Sequence, residues 1–347
     1  MIEIDGSYGE GGGQILRTAL SLSCLLKRPF RIFNIRKGRK KPGLMPQHLT
    51  SIRAAQILSI ADVKGDHAGS TELLFSPRTV KSGDFFFDIG TAGSTSLVLQ
   101  TLIPALLSTE EKNTVVLKGG THVPFSPSFH YLEKVFVPIL SRLRINIQLT
   151  IESYGYYPRG GGKVRAEIIP VKEVKPLKNI ERGIVKQLKG LSGVGNLPLS
   201  IAERQKHGLM EKIKSEMKDI PYPVEIELLN VSTPGQGTFI FLESESEHSV
   251  AGFTSLGERG KRAETVGEEA AKEFLDYYNS GAAFDQHLSD QIVLYLSMCN
   301  KESEFTTSCI THHLLTNLWA ISLFREFHYS AEGEIGKPGK IKINSLL

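Results

Sequence analysis

Cysteine is scarce: three in 347 residues, with no Cys-x-x-Cys pair, which excludes a disulfide framework and a zinc ribbon. Cys24, Cys299 and Cys309 lie in apolar or strand-like runs and are expected to be buried thiols. No apolar run is long enough to span a membrane. The chain begins on an alternating strand, Met1 to Asp5, instead of a charged and apolar leader, so a cytoplasmic protein with no membrane association is expected. Charge imbalance is small as well. The 41 basic and 37 acidic residues leave only +4, too little to diagnose nucleic-acid binding. No Gly-Lys-Ser/Thr follows the first glycine turn, whose spacing is not that of a dinucleotide fingerprint.

The 40% hydrophobic content is enough, at this length, for a substantial core arranged as two domains or as one large domain with an insertion. The first segment reads as strand, glycine turn and helix: Ile2 to Asp5, Gly6 to Gly13, then Gln14 to Leu22. Glycines at a helix N-terminus let backbone N–H groups face an anion. Glu10, Gln14 and Arg17 recur at three- and four-residue intervals, so a helical continuation would place them on one side as a metal and phosphate corner. A strand at Phe30 to Ile35 and a helix over Gln47 to Leu58, with Pro46 in its first turn, complete the unit. Around this strand, Lys27 to Lys41 carries eight basic residues and no acidic one, a candidate surface for phosphates.

The layout then returns: strands at Glu72 to Ser76 and Asp84 to Ile89, a Gly90 to Thr95 turn, and a helix over Ser96 to Leu107 that bears Gln100. A strand at Thr114 to Lys118, a helix around Tyr131 to Leu143 and a strand at Arg144 to Ile151 follow. A pair at Tyr157 to Arg159 and Val164 to Ile168 is interrupted by three glycines. The reading is α/β (α+β), a repeated unit with its glycine turns gathered at one end. Charge rises after Pro170. Strands at Gly183 to Leu188, Pro223 to Leu229 and Gly237 to Glu243, with helices near Pro198 to Lys218 and Ala263 to Tyr278, suggest a small α/β domain inserted at 176–279 into a body of 1–175 and 280–347. Beyond it, His287, Asp290 and Gln291 share a face of a helix over Phe284 to Leu296, and Lys340 to Ile343 suggests a last strand.

Thr311 to Asn317 sits where a strand, Glu304 to Ile310, hands over to an apolar helix, so His313 can face a cleft with Thr316 and Asn317 on its side. A capping turn with two incidental histidines is the plain alternative. A zinc site from Cys309, His312 and His313 fits no standard spacing.

Ordered motifs along nearly the whole chain resemble the RNA 3′-terminal phosphate cyclases: Asp5 to Arg17, Ile35 to Arg39 with Lys41 to Leu44 and Gln47 to Leu49, Gly93-Ser94 with Gln100, Gly155 to Gly162, Asp290-Gln291, and His313 to Asn317. The resemblance implies an initiation-factor C-terminal-like body of repeated α/β units, shared with the enolpyruvyl transferases, and a small inserted domain. It further implies an RNA-processing ligase that uses ATP and a divalent metal, Mg²⁺ or Mn²⁺, on RNA with a 3′-terminal phosphate, with no obligate protein partner. His313 would form a covalent histidine–AMP intermediate on the way to a 2′,3′-cyclic phosphodiester. By the same resemblance Glu10 would bind metal. Gln100, Pro127, His287, Asp290 and Gln291 would line the nucleotide pocket, and Gln14, Arg17, Arg36, Arg39 and Gln47 would meet the triphosphate or the RNA phosphate. The sequence departs from the family at His287, where tyrosine is common; imidazole can also stack. The alternative is a non-catalytic ribosome-assembly relative of the same fold that lacks the histidine. A lysine-type ligase is excluded because the matching stretch reads Glu3-Ile4-Asp5-Gly6, without the lysine nucleophile.

Overall fold

The computed structural model describes residues 1–217 and 221–345. One six-element plan occurs three times. In the first unit β1 (Ile2–Asp5), α1 (Gly13–Leu26), β2 (Phe30–Phe33), α2 (Pro46–Ser59), β3 (Asp62–Lys64) and β4 (Leu73–Ser76) build a sheet of order β1-β2-β4-β3. β1 runs parallel to β2, while β4 is antiparallel to both β2 and β3. The second unit repeats this with β5 (Asp84–Asp88), α3 (Thr95–Leu106), β6 (Asn113–Gly119), a second helix, β7 (Ile147–Ser153) and β8 (Gly162–Ile168), in the order β5-β6-β8-β7. Its second helix is α4 (Phe129–Tyr131) continuing through a wide π-helical turn, Leu132–Phe136, into α5 (Val137–Arg142).

The third unit starts at β9 (Lys178–Asn179) and is then interrupted. The intervening chain forms β10 (Val185–Gly195), α6 (Ser200–Glu216), β11 (Val224–Asn230), β12 (Gly237–Ser246), β13 (Val250–Leu256) and α7 (Ala263–Ser280). These four strands make their own sheet, β11-β10-β12-β13, with a separate core that includes Leu188, Leu209, Leu242 and Phe274. The interrupted unit resumes with α8 (Gln286–Leu296), β14 (Ser303–Thr307), α9 (His312–Ser322), β15 (Phe327–Glu332) and β16 (Gly339–Ser345), and closes as β9-β14-β16-β15. Thr306 clips the two leads of the interruption together: its hydroxyl donates to the Ile180 carbonyl at 3.0 Å and accepts from the Ala283 N–H at 2.8 Å.

Strands such as β8 alternate buried and exposed residues, so each body sheet turns one face to solvent and one to the helices. α1 packs against α2, α3 and α9, and α8 against α9. A single core, with Leu20, Leu102, Phe305 and Ile321 among its members, runs through all three units.

Several boundaries move from the sequence reading for local reasons. The strand expected at Phe30 to Ile35 ends at Phe33 because Asn34 and Arg36 both take φ of 55°. The strand expected from Arg144 begins at Ile147, after Arg144 at φ 68°. Tyr157 to Arg159 forms a turn, not a strand. The helix expected to reach Lys218 is described as far as Glu216; Lys218 lies outside the described residues. Cys24 and Cys299 are buried as expected, whereas Cys309 is half-exposed.

The interrupting sheet meets the body tightly. A Cβ added at Gly237 would lie 2.0 Å from Cγ of Tyr156, a buried ring. Gly237→Ala is therefore expected to destabilise the protein by about 1–3 kcal/mol, read as a lower urea or thermal midpoint.

Candidate active site

α1 begins at Gly13, so Glu10 precedes the helix and does not share its face with Gln14 and Arg17. The turn carrying Glu10 is pinned to α9. Tyr8 stacks on Trp319 with centroids 3.9 Å apart, and the Glu10 N–H donates to Thr316 Oγ1 at 3.2 Å. Gly9 makes this approach possible: its φ is 56°, and a Cβ would stand 2.3 Å from Thr316 Oγ1. Glu10 is thereby delivered to His313, with Oε2 3.6 Å from Nδ1. Its Oε1 pairs with Arg39, whose guanidinium also donates to the Glu10 carbonyl at 3.1 Å. Oε2 is buried and has no hydrogen-bond partner.

His313 is the second residue of α9. Thr311 caps the helix by accepting the Leu314 N–H at 3.0 Å, and the positive end of the helix favours an anion beside a neutral imidazole. Burial lowers the His313 pKa; Asp290 opposes this, and Arg17, Arg39 and His287 add to it. Next to it opens a cavity of about 370 Å³, within the usual range for small-molecule sites. Of the residues singled out in the sequence, Gln14, Arg17, Gln100, Pro127, His287, Asp290, Gln291 and His313 all line it. Hydrogen bonds brace the wall: Arg17 to Gln14 Oε1 at 2.7 Å, Gln100 to Gln291 at 2.6 Å, and Asn317 to the Asp290 carbonyl at 2.8 Å. α8 is fixed by Asp285, whose Oδ1 accepts from His287 N, Leu288 N and the Tyr131 hydroxyl. His287 lies edge-on to Tyr131, centroids 6.3 Å apart.

Burial lowers Arg17 to about 10 against the pull of Asp290, so it stays cationic at neutral pH. Burial raises Asp290, while His313, His287 and Arg17 restrain it. Glu10 and Arg39 line an adjoining surface cleft with Lys37 and Gly38.

Two expected residues lie apart. Arg36 is turned into its own loop, donating to the carbonyls of Lys41 and Gly43 at 2.8 and 3.2 Å. Gln47 is exposed on α2 near the Gly93 turn. Its neighbour His48, not singled out in the sequence, is the buried one, because adjacent helical residues point about 100° apart. The basic run is likewise divided, since Arg31 pairs with Glu3 and Glu72 and Arg28 donates to the Phe324 carbonyl.

His48 Nδ1 accepts the Met45 N–H at 3.0 Å. Burial first, then Arg17 and Arg36, lower its pKa from 6.5 to about 3. Between those values the unfolded chain binds a proton that the folded chain refuses. Stability supplied by neutral His48 is thus lost as pH falls through this window, by up to about 1.4 kcal/mol per pH unit. Urea midpoints at pH 7 and about 4.5 should converge in His48→Gln relative to the unsubstituted chain.

An imidazole beside a carboxylate and guanidinium groups, at the mouth of a cavity, suits phosphoryl or nucleotidyl transfer, where positioning and charge neutralisation do most of the catalysis. Comparison with known proteins agrees with that class. The sequence model for RNA 3′-terminal phosphate cyclase matches residues 8–331, and the chain belongs to this family. It is 47% identical to the RNA 3′-terminal phosphate cyclase of Sulfolobus acidocaldarius over 96% of this chain and 97% of the relative. The proteins of the same name from Ignicoccus hospitalis (43%, covering 100% and 99%) and Methylococcus capsulatus (42%, covering 93% and 91%) are also similar. Among the described residues no helix is long and apolar enough to cross a membrane, and no group of three His, Cys, Asp or Glu side chains converges to hold a metal.

Proposed function

We propose that the chain is a cytoplasmic, ATP-dependent cyclase of RNA 3′-terminal phosphates with His313 as its nucleophile. The observation that carries this reading is the placement of His313 between the Glu10–Arg39 pair and the cavity lined by Arg17, Gln100, Asp290 and Gln291. Glu10 faces Nδ1, which leaves Nε2 to attack the α-phosphorus of ATP. The new N–P bond forms as the bond to the bridging oxygen breaks, and pyrophosphate leaves. An oxygen of the RNA 3′-phosphate then takes the adenylyl group, and the protonated ring departs readily. Finally the neighbouring 2′-hydroxyl gives up its proton and attacks the terminal phosphorus. AMP leaves and a 2′,3′-cyclic phosphodiester remains.

In this reading Arg17 and Arg39 balance phosphate charge, and Pro127, His287, Gln100 and the Asp290-Gln291 pair hold the nucleoside. The unpartnered Glu10 Oε2 would supply one carboxylate contact to a divalent cation, Mg²⁺ or Mn²⁺. Such a cation, when bound, neutralises the triphosphate. The body of 1–175 and 280–347 with an inserted domain of 176–279 belongs to the same reading, its first boundary moved past β9 (Lys178–Asn179), which pairs with β14 inside the body.

The test uses ATP labelled at the α-phosphate with Mg²⁺ or Mn²⁺. An acid-labile, alkali-stable protein–AMP adduct is expected, and its absence would overturn the mechanism. RNA ending in a 3′-phosphate should become phosphatase-resistant, and RNA ending in a 3′-hydroxyl should not react.

A further inference from the structure

Of the two arginines that meet phosphate in the proposed reaction, Arg17 lies in the cavity wall, braced on Gln14. Arg39 is held quite differently. It stands on a loop whose residues Lys37 to Pro42 are all exposed, and a Cβ added at Gly38 would meet nothing within 4 Å. Arg36 ties the base of this loop through the carbonyls of Lys41 and Gly43. The tip reaches the site through Arg39, whose guanidinium pairs with Glu10 Oε1 and donates to the Glu10 carbonyl at 3.1 Å. Among the described residues Arg39 has no other carboxylate within ion-pair distance.

Both partners of Arg39 thus belong to Glu10, and its guanidinium cannot turn fully to a phosphate while it holds that carboxylate. The converse applies to Glu10. With Arg39 on Oε1, the carboxylate can offer a cation only Oε2, the oxygen beside His313 Nδ1. An exchange of partners costs little: a half-exposed ion pair is weakly held in water, and a phosphate gives a guanidinium two parallel charge-assisted bonds. Glu10 stays in place during the exchange, because its N–H bond to Thr316 and the stack of Tyr8 on Trp319 fix the turn without Arg39.

We propose that Arg39 is a latch on Glu10 that an arriving phosphate releases, so that phosphate and the divalent cation bind cooperatively. Arg39 turns from Oε1 to the phosphate, and Oε1 becomes a second carboxylate oxygen for the cation. By linkage, the cation in turn favours Arg39 on the phosphate. This inference rests on the cyclase reading for its two ligands. The ATP triphosphate and the RNA terminal phosphate share the required chemistry.

The latch is tested without metal, by calorimetric titration in EDTA with α,β-methylene-ATP and, separately, with a dinucleotide ending in a 3′-phosphate. The unsubstituted chain, Glu10→Gln, Arg39→Ala and the double variant form a double-mutant cycle. In the Arg39→Ala background Glu10→Gln only removes a repelling charge. With Arg39 present it also frees the guanidinium, so it should tighten binding at least about fivefold more there. The ligand that shows this excess is the one that opens the latch. Equal effects in both backgrounds, for both ligands, would overturn the inference. Mn²⁺ binding with no phosphate present, followed by the EPR signal of the free ion, is the second readout. Arg39→Ala should bind Mn²⁺ at least about fivefold more tightly than the unsubstituted chain. Lys37→Ala removes a charge from the same cleft without releasing Glu10 and should change the affinity less than about twofold. Equal tightening in these two variants would reduce the effect to long-range charge and sink the latch. Mn²⁺ binding that survives Glu10→Gln would refute the cation as a Glu10 ligand, while the metal-free cycle still decides the Arg39 exchange. Adenylation by ATP is followed in parallel; its absence refutes the His313 mechanism and not the latch.

Discussion

His313→Ala is expected to abolish the protein–AMP adduct and to reduce cyclisation by more than about 10⁴-fold, the scale on which removal of a covalent nucleophile acts. Stability should hardly change, because the side chain is half-exposed and α9 is capped by Thr311 and not by the histidine. His312→Ala is the internal control. His312 is exposed and next in sequence, but it does not line the cavity. An adduct that persists in His313→Ala and disappears in His312→Ala would move the nucleophile by one residue and refute the assignment. If both variants still cyclise RNA, histidine chemistry at this helix end is wrong altogether.

The second large effect is at Glu10. Glu10→Gln preserves shape and the backbone bond to Thr316 but removes the charge shared by Arg39 and the His313 ring. A fall in adenylation rate of about 10²–10³-fold is expected, typical of losing one preorganised electrostatic group. If the free Oε2 receives a divalent cation, the metal concentration for half-maximal adenylation should also rise at least about tenfold. A rate loss with unchanged metal dependence would keep Glu10 as a partner of the imidazole and remove it as a ligand. Unchanged rate and metal dependence would eliminate both roles.

Elements with a clean period were legible in the sequence. β1, α1 and β8 show their alternation or helical face directly. β13 escaped because Val250 to Phe253 are all buried, so its sequence does not alternate. β9 is two residues long, and β15 reads as polar because its middle is exposed. The third copy of the six-element plan was hidden for a different reason: its first strand is separated from its first helix by the interrupting sheet.

The site was legible in residue types more than in position. His287, Asp290 and Gln291 follow from helical spacing on α8, and all three reach the cavity. Glu10 reaches His313 through a turn whose course depends on Gly9 and on a stack with Trp319, a contact that local pattern does not encode. His48 and Gln47 are exchanged between inside and outside by a single helical step. Phe125, which lines the cavity, reads as one more apolar residue in a proline-rich loop; its full exposure and its φ of 61° set it apart.

The bridging hydroxyl of Thr306 has a further consequence for the chain as a polymer. Because it bonds to both Ile180 and Ala283, the three-unit body experiences everything between them as a ring whose ends already touch. Closing such a ring depends only logarithmically on its contour, about 0.6 kcal/mol for each doubling. Length can therefore be gained or lost within that segment at little entropic expense to the sheets that frame His313.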